Sequence, residues 1–127
     1  MDSKIEKHHY SAQCLAYMGD AVFELFVRKM LLSNGNRSVN DLNKQARKYV
    51  SATAQAEMYH KIEANLTMEE QSVMRRGRNL HSSSKSKNAD TLDYRHATGL
   101  ETLFGHLFIT EQQERLEEIF KLCTELK

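Results

Sequence analysis

Apolar residues recur along most of the chain at the three-to-four-residue spacing of amphipathic helices. Alternation of apolar and polar residues, the pattern of a half-buried strand, is not sustained in any segment. With no proline and five glycines, the chain has nothing that forces a helix to break inside these segments. The pattern predicts an all-helical fold, with residues 1–127 as a single domain.

Polar turn and capping residues separate the predicted helices. The first helix is predicted from about Ser11 to Leu32 and ends in SNGNRS, whose asparagine and glycine residues favour a turn. Ser38 and Asp41 have the spacing of a capping box that opens VNDLNKQARKYV. RNLHSSSKSKNA is predicted to be the one long polar loop. Further helices are predicted from about Ser51, from a capping box at Thr67 and Glu70 to Gly77, from about Asp90 to Ile109, and through EQQERLEEIFKLCTEL.

The first helix contains LAYMGDAVFELF, an almost unbroken apolar stretch with Gly19 and Asp20 in its middle. Asp20 projects from the side opposite the expected core face. A helix that is apolar on both sides is enclosed on both sides, by its own domain, by a second subunit or by a ligand. Tyr17, Phe23 and Val27 on the side of Asp20 are therefore candidates for a subunit interface, although packing inside the domain explains them nearly as well. The expected core face consists of Cys14, Leu15, Met18, Val22, Leu25 and Phe26.

A second carboxylate, Glu101 in TGLETLFGHLF, lies at the edge of the apolar face of its helix. A carboxylate withdrawn from water must be protonated, paired with a cation or bound to a metal. Asp20 and Glu101 can converge from different helices, and oxygen ligands with retained waters suit Mg²⁺ or Mn²⁺. The alternative is that each acid forms an ion pair, and spacing alone favours it. The candidate partners are Arg28, Arg78 and Arg95.

Charge along the chain is concentrated. The net charge is +1, yet residues 75–96 hold six Lys or Arg against two Asp, a local charge of +4 that leaves the remainder at −3. This distribution indicates either a localised polyanion site or a solvated basic loop. The candidate contacts for such a polyanion are Arg75, Arg76, Arg78, Asn79, Lys85 and Lys87, with Lys44, Arg47 and Lys48 as a second, weaker patch.

Location and redox state are predicted from what the sequence lacks. No run of 18 apolar residues is present, and MDSKIEKHHYSAQ has no signal-peptide apolar region, so a cytoplasmic protein without a membrane partner is expected. Cys14 and Cys123 have no C-x-x-C spacing, and both are expected to be reduced core residues.

Two sequence motifs resemble the signature motifs of one enzyme family. YMGDAVFEL is similar to the signature helix of the ribonuclease III catalytic domain, in which a Leu-Gly-Asp-Ala core carries a metal-binding aspartate. ATGLETLFGHLF resembles the second signature of that family, and the order and separation of the two words agree. The resemblance covers nearly the whole chain and leaves no room for a double-stranded-RNA-binding domain. The short chain resembles the Mini-III branch of the family, and so do the motifs RRGRN and YRHATGLETLFGHLF.

The resemblance implies a homodimeric helical bundle like the ribonuclease III catalytic domain, which cleaves double-stranded RNA with Mg²⁺, or with Mn²⁺ as a substitute. It further implies maturation of the large (23S) ribosomal RNA precursor, with a ribosomal protein as a further candidate partner. Asp20 matches the signature aspartate and Glu101 the distal glutamate. Two acids of the longer enzymes are absent, since Ala16 and Thr98 stand in their places.

The resulting hypothesis is that Asp20 and Glu101 are catalytic and hold Mg²⁺, which activates a water and neutralises charge on the scissile phosphate. The expected products carry a 5′-phosphate and a 3′-hydroxyl. One rival is a helical module that binds double-stranded RNA or assists ribosome assembly without catalysis, because two acids have been lost. Another is a plain helical adaptor, for which charge reversal at Arg76 and Arg78 would leave RNA binding unchanged.

Overall fold

The structure is a computed structural model that describes residues 9–80 and 89–125. Within these ranges the chain is all-helical, as predicted, and contains no strand. A short 3₁₀ turn, Glu63–Asn65, follows the third α-helix. The described helices are α1 (Ala12–Leu32), α2 (Val39–Val50), α3 (Ala52–Ile62), α4 (Met68–Arg78), α5 (Ala89–Ile109) and α6 (Gln113–Thr124).

Hydroxyl side chains begin the first four helices. Each accepts a hydrogen bond from the backbone amide three residues later, which satisfies one of the unpaired N–H groups of the first turn. At Thr67 the capping box is complete, because the Glu70 carboxylate accepts in return from the Thr67 amide at 2.9 Å. The predicted starts are thus confirmed. The four capping residues are Ser11, Ser38, Ser51 and Thr67.

Helix α5 lies at the centre and packs against α1, α3, α4 and α6. The core of this packing is aromatic: the ring of Phe23 meets Phe104 edge to face at 5.1 Å and Phe120 at 5.7 Å. The prediction of which residues of α1 face the core is partly wrong. Phe23 and Val27 are fully buried, whereas Leu25 is 64% exposed and Cys14 is also exposed. The surrounding helices bury the side of α1 that faces α5, and periodicity alone does not reveal that side.

Glycines allow the helices to cross at close range. A Cβ atom at Gly19 of α1 would overlap the Glu101 carbonyl oxygen, and one at Gly105 of α5 would overlap the Leu15 carbonyl oxygen. Helix α4 ends at Arg78, one residue after the predicted end at Gly77, so Gly77 belongs to the last turn of the helix. It is buried because α4 packs there against α5. These contacts leave no space for side chains, so α1 and α4 both lie directly on the backbone of α5.

A buried ion pair connects the start of α4 to α6. Glu70 is buried, and its two oxygens accept hydrogen bonds from the Arg115 guanidinium, each at 2.8 Å. Arg115 also donates to the Asn65 carbonyl oxygen and pairs with Glu118. Its hydrogen bonds hold the pKa of Glu70 below the usual range. The pair holds the C-terminal helix against the bundle.

Glu70→Gln is expected to lower the free energy of unfolding by about 3 kcal/mol near neutral pH, because it leaves the Arg115 charge without its buried partner. A carboxyl group with a lowered pKa stabilises the fold above its ordinary pKa, and this contribution is lost as the pH falls through the folded-state value. The difference between wild type and variant should therefore be full at about pH 6 and shrink below about pH 4.5. Urea denaturation across this range measures it.

The matched control is Glu24→Gln. Glu24 pairs with Arg28 at 3.5 Å on the surface of α1, and such exposed pairs contribute little, so a change below about 0.5 kcal/mol is expected. Equal losses of stability in the two variants would contradict a special role for the Glu70–Arg115 pair.

No helix in residues 9–80 or 89–125 is long and apolar enough to cross a membrane.

Candidate functional site

Asp20 and Glu101 meet where α1 crosses α5. The crossing is close because Gly19, next to Asp20, rests on the backbone carbonyl of Glu101 itself. The carboxyl groups of the two acids lie within hydrogen-bonding reach of each other. The predicted convergence of two acids from different helices is thus present, and the glycine beside Asp20 is what makes it possible.

The two acids differ in their exposure to water. Asp20 is exposed, which corrects the expectation that it is withdrawn from solvent, whereas Glu101 is partly buried. Burial, followed by repulsion from the Asp20 charge, raises the pKa of Glu101 to about 7. A nearby side-chain amide, Gln55, acts in the opposite direction by hydrogen bonding to the carboxylate. Two carboxylates within hydrogen-bonding reach of each other repel, and this repulsion favours a bound cation or a shared proton.

The alternative, in which arginine neutralises Asp20 and Glu101, is not seen among the described residues. Arg28 pairs with Glu24, and Arg78 donates to the Tyr59 hydroxyl and the Asn79 side chain. None of the ion pairs between described residues includes Asp20, Glu101 or Arg95. Within the described part of the chain, the alternative that arginine neutralises both acids therefore has no support.

An open cavity of about 330 Å³ lies over the two acids. Three helices form its walls, so the site depends on the packing of α1, α4 and α5 together. The cavity is lined by Gln13, Ala16, Tyr17 and Asp20 from α1, by Gly77 and Leu80 from the end of α4 and the residues after it, and by Tyr94, Arg95, Thr98 and Glu101 from α5.

Ala16 and Thr98, where the sequence departs from the longer enzymes, line this same cavity. The Thr98 hydroxyl donates to the Tyr94 carbonyl oxygen at 2.9 Å, one turn back in α5. Neither residue offers a carboxylate, and no cluster of three or more His, Cys, Asp or Glu side chains suited to a metal occurs among the described residues. Two carboxylates remain, which fits Mg²⁺, an ion that keeps several waters and binds through one or two acids.

The first basic patch adjoins the cavity. Arg75, Arg76 and Arg78 lie in the last turn of α4, and Asn79 caps that helix. Arg76 donates to the Tyr10 carbonyl oxygen at 3.3 Å, and Arg75 is exposed. Gly77, between these arginines, is in the cavity wall. The helix end that carries these arginines therefore adjoins the cavity, and the cation in the cavity lining itself is Arg95 of α5.

Other predicted RNA contacts lie elsewhere. Lys44, Arg47 and Lys48 are exposed on α2, which contributes nothing to the cavity wall. Lys85 and Lys87, with most of the predicted polar loop, lie outside the described residues.

The predicted subunit-interface residues separate into two groups. Phe23 and Val27 are fully buried inside the subunit, where Phe23 packs on Phe104, so they are core residues that a second subunit cannot reach. The interface prediction is wrong for these two, and the alternative of packing inside the domain holds. Tyr17 is 82% exposed at the mouth of the cavity.

The sequence did not reveal the places of Gln55 and Arg95 in the site. Gln55 of α3 is buried and contacts Glu101, but an isolated glutamine in SATAQAEMYHKIEAN resembles any polar helix residue. Arg95 lines the cavity, whereas the sequence indicated it only as one charge of the basic segment and as a candidate ion-pair partner of the two acids. Its position six residues before Glu101 was the available signal, but this spacing does not place the two on one helix face.

Comparisons with known proteins identify a matching family, similar sequences and a similar structure. Residues 13–112 match the family described as Ribonuclease III domain. The chain is 46% identical to a Mini-ribonuclease 3 of Symbiobacterium thermophilum, covering 87% of this chain and 85% of the relative. It is 47% identical to a Mini-ribonuclease 3 of Enterococcus faecalis, covering 86% and 84%. A crystal structure of a Fusobacterium nucleatum protein superimposes with a TM-score of 0.78 at 31% identity, covering 90% of this chain and 91% of that one.

Proposed function

Since this chain belongs to the ribonuclease III family, and within it to the Mini-ribonuclease 3 group, we propose that it is an Mg²⁺-dependent endoribonuclease that cleaves double-stranded RNA. The observation that carries the proposal is the meeting of the Asp20 and Glu101 carboxyl groups beneath an open cavity. The basic end of α4 adjoins the same cavity, which supports adjacent binding of phosphates and a cation.

Asp20 and Glu101 would hold the metal ion. When bound, Mg²⁺ supplies Lewis-acid chemistry, since it lowers the pKa of water and neutralises charge on a phosphate. The small side chains of Ala16 and Thr98 leave space beside the two acids for water that remains around a hydrated ion. The proposed products are a 5′-phosphate and a 3′-hydroxyl.

The basic residues at the end of α4 would bind the backbone of the duplex. A-form RNA hides its base edges in a deep, narrow groove, so proteins contact it mainly through phosphates and 2′-hydroxyls. Arginine suits these contacts because its planar guanidinium donates several hydrogen bonds to a phosphate. One small domain offers few such contacts, and binding should therefore weaken steeply with salt.

The substrate and assembly follow the resemblance to the short branch of the family. We propose the 23S ribosomal RNA precursor as the substrate, in the cytoplasm, with a ribosomal protein as a partner that presents it. We also propose a homodimer, in which Tyr17, exposed on α1, is the remaining candidate for subunit contact.

The test is cleavage of a fully paired, end-labelled RNA by the purified protein. Cutting is expected with Mg²⁺ or Mn²⁺, with none in EDTA and none on the single strand, and ligation-based mapping should find 5′-phosphate ends. Duplex binding without any cleavage would overturn the proposal in favour of the non-catalytic RNA-binding module.

Arg95→Gln is expected to weaken binding of the duplex about tenfold, because it removes one cavity-lining cation that is not committed to an ion pair with a described acid. The dependence of the logarithm of affinity on the logarithm of salt concentration should fall by about one unit. Fluorescence anisotropy with labelled duplex RNA, in EDTA to prevent cleavage, measures both quantities.

Arg28→Gln is the control, since Arg28 pairs with Glu24 away from the cavity and its loss should leave affinity unchanged. Equal affinities for wild type and Arg95→Gln would exclude Arg95 from the RNA-binding surface.

A further inference from the structure

Gln55 is a buried polar residue that packing alone does not explain. Gln55 is 3% exposed and belongs to α3, which packs against α5. Burying an amide destabilises the fold when no hydrogen bond replaces those that the amide makes to water. An apolar side chain of the same size would avoid this cost. The presence of an amide in the core therefore requires a polar partner.

The other buried polar residues in the described part of the chain have structural partners. Glu70 caps its helix and pairs with Arg115, and Thr102 donates to the Thr98 carbonyl oxygen at 2.7 Å. Gln55 differs from these two, because its partner is the Glu101 carboxyl group of the site itself. An ionised carboxylate only accepts hydrogen bonds, so the Gln55 side-chain NH₂ must be the donor.

Glu101 is therefore contacted from two sides. Gln55 reaches it from α3, within the core, and Asp20 approaches it from α1, at the cavity. Thr98, one turn before Glu101 on α5, cannot direct its only hydroxyl proton to the carboxylate while that proton is donated to the Tyr94 carbonyl oxygen. Ala16 has no donor and the Thr98 hydroxyl proton is already used. The Gln55 amide is therefore the neutral donor that orients the Glu101 carboxylate.

We propose that Gln55 is a positioning residue, whose side-chain amide holds the Glu101 carboxylate in place so that Glu101 presents its remaining acceptor capacity to the cavity and to the cation shared with Asp20. This inference rests on the proposed function, because it assigns to Gln55 the preorganisation of a metal ligand. Groups of this kind orient a ligand and thereby change metal affinity by about 10- to 100-fold when they are removed.

Gln55→Met is the informative variant, since methionine has nearly the same length and volume but no N–H donor. Calorimetric titration of the RNA-free protein with Mn²⁺ should show an affinity at least about tenfold weaker than wild type. The cleavage rate at saturating duplex RNA should fall by at least about tenfold, while the dissociation constant for the duplex in EDTA stays unchanged. The melting temperature should not fall, because the substitution removes a buried polar group.

This combination separates positioning from a structural role. A merely structural Gln55 would lower the melting temperature and leave Mn²⁺ affinity per folded molecule unchanged. Met58→Leu is the matched control, because Met58 is also buried on α3 and its replacement should leave Mn²⁺ affinity and cleavage at wild-type values. Gln55→Leu gives a second apolar variant if the methionine variant does not fold.

The outcomes distinguish this inference from the proposed function. Wild-type protein that binds Mn²⁺ and cleaves duplex RNA, with Gln55→Met and Gln55→Leu indistinguishable from it, overturns the role of Gln55 alone. Wild-type protein that neither binds Mn²⁺ nor cleaves overturns the proposed function and the role of Gln55 with it.

Discussion

Asp20→Asn and Glu101→Gln are each expected to reduce the rate of duplex RNA cleavage by on the order of a thousandfold, which corresponds to about 4 kcal/mol of transition-state stabilisation. Each substitution keeps the shape of the side chain but removes one of the two negative charges that meet at the cavity. With Ala16 and Thr98 in the same wall, the described cavity has no other carboxylate to replace the one that is lost. Single-turnover cleavage of a labelled duplex measures the rate.

The same two substitutions are expected to stabilise the fold. Burial and the neighbouring Asp20 charge raise the pKa of Glu101 to about 7, so the two ionised acids disfavour the folded state. Neutralising either acid removes this repulsion and should raise the free energy of unfolding in EDTA by about 1 kcal/mol or more. Loss of activity together with a gain in stability is a signature that damage to the fold cannot produce.

Glu24→Gln is the control for this experiment, because Glu24 lies one turn after Asp20 on α1 but pairs with Arg28 outside the cavity. Its cleavage rate should equal that of wild type. Wild-type rates in both Asp20→Asn and Glu101→Gln would show that the active site is elsewhere, whatever the family of the protein.

Gly19→Ala is expected to lower the free energy of unfolding by about 2 kcal/mol. Helix propensity alone predicts the opposite sign, since alanine is favoured over glycine inside a helix by about 1 kcal/mol. The new Cβ would overlap the Glu101 carbonyl oxygen and come within 2.8 Å of the Gly105 amide nitrogen, both of which are backbone atoms that no rotamer change can move. Separating α1 from α5 costs about 3 kcal/mol, which exceeds the gain in propensity.

Urea denaturation gives the sign of the effect directly. Ala21→Gly, at an exposed position of the same helix, serves as the control and should lose only the propensity contribution of about 1 kcal/mol. If Gly19→Ala were more stable than wild type, α1 and α5 would not be in the close contact that brings Asp20 to Glu101.

The helices and their starts could be predicted from the sequence because the responsible interactions are local. A serine or threonine hydroxyl caps the amide only three residues away, so Ser11, Ser38, Ser51 and Thr67 mark helix starts without any tertiary contact. The predicted end of α4 at Gly77 agrees with the observed end at Arg78 to within one residue, but the burial of Gly77 could not be predicted in the same way. Close packing against α5 requires that glycine, and packing is not a local property.

The amino-acid sequence by itself determined the helical class, the helix starts and the two acids, since periodicity, capping chemistry and signature words are all encoded in residues close together along the chain. Only the tertiary structure decided which side of α1 is buried, because Phe23 and Val27 become core residues through contact with α5 and α6. It also brought Gln55 of α3 to Glu101 of α5, across 46 positions of the sequence that carry no pattern linking the two residues. Contacts between distant segments depend on how whole helices pack, and a close approach at a single glycine sets where the two acids meet.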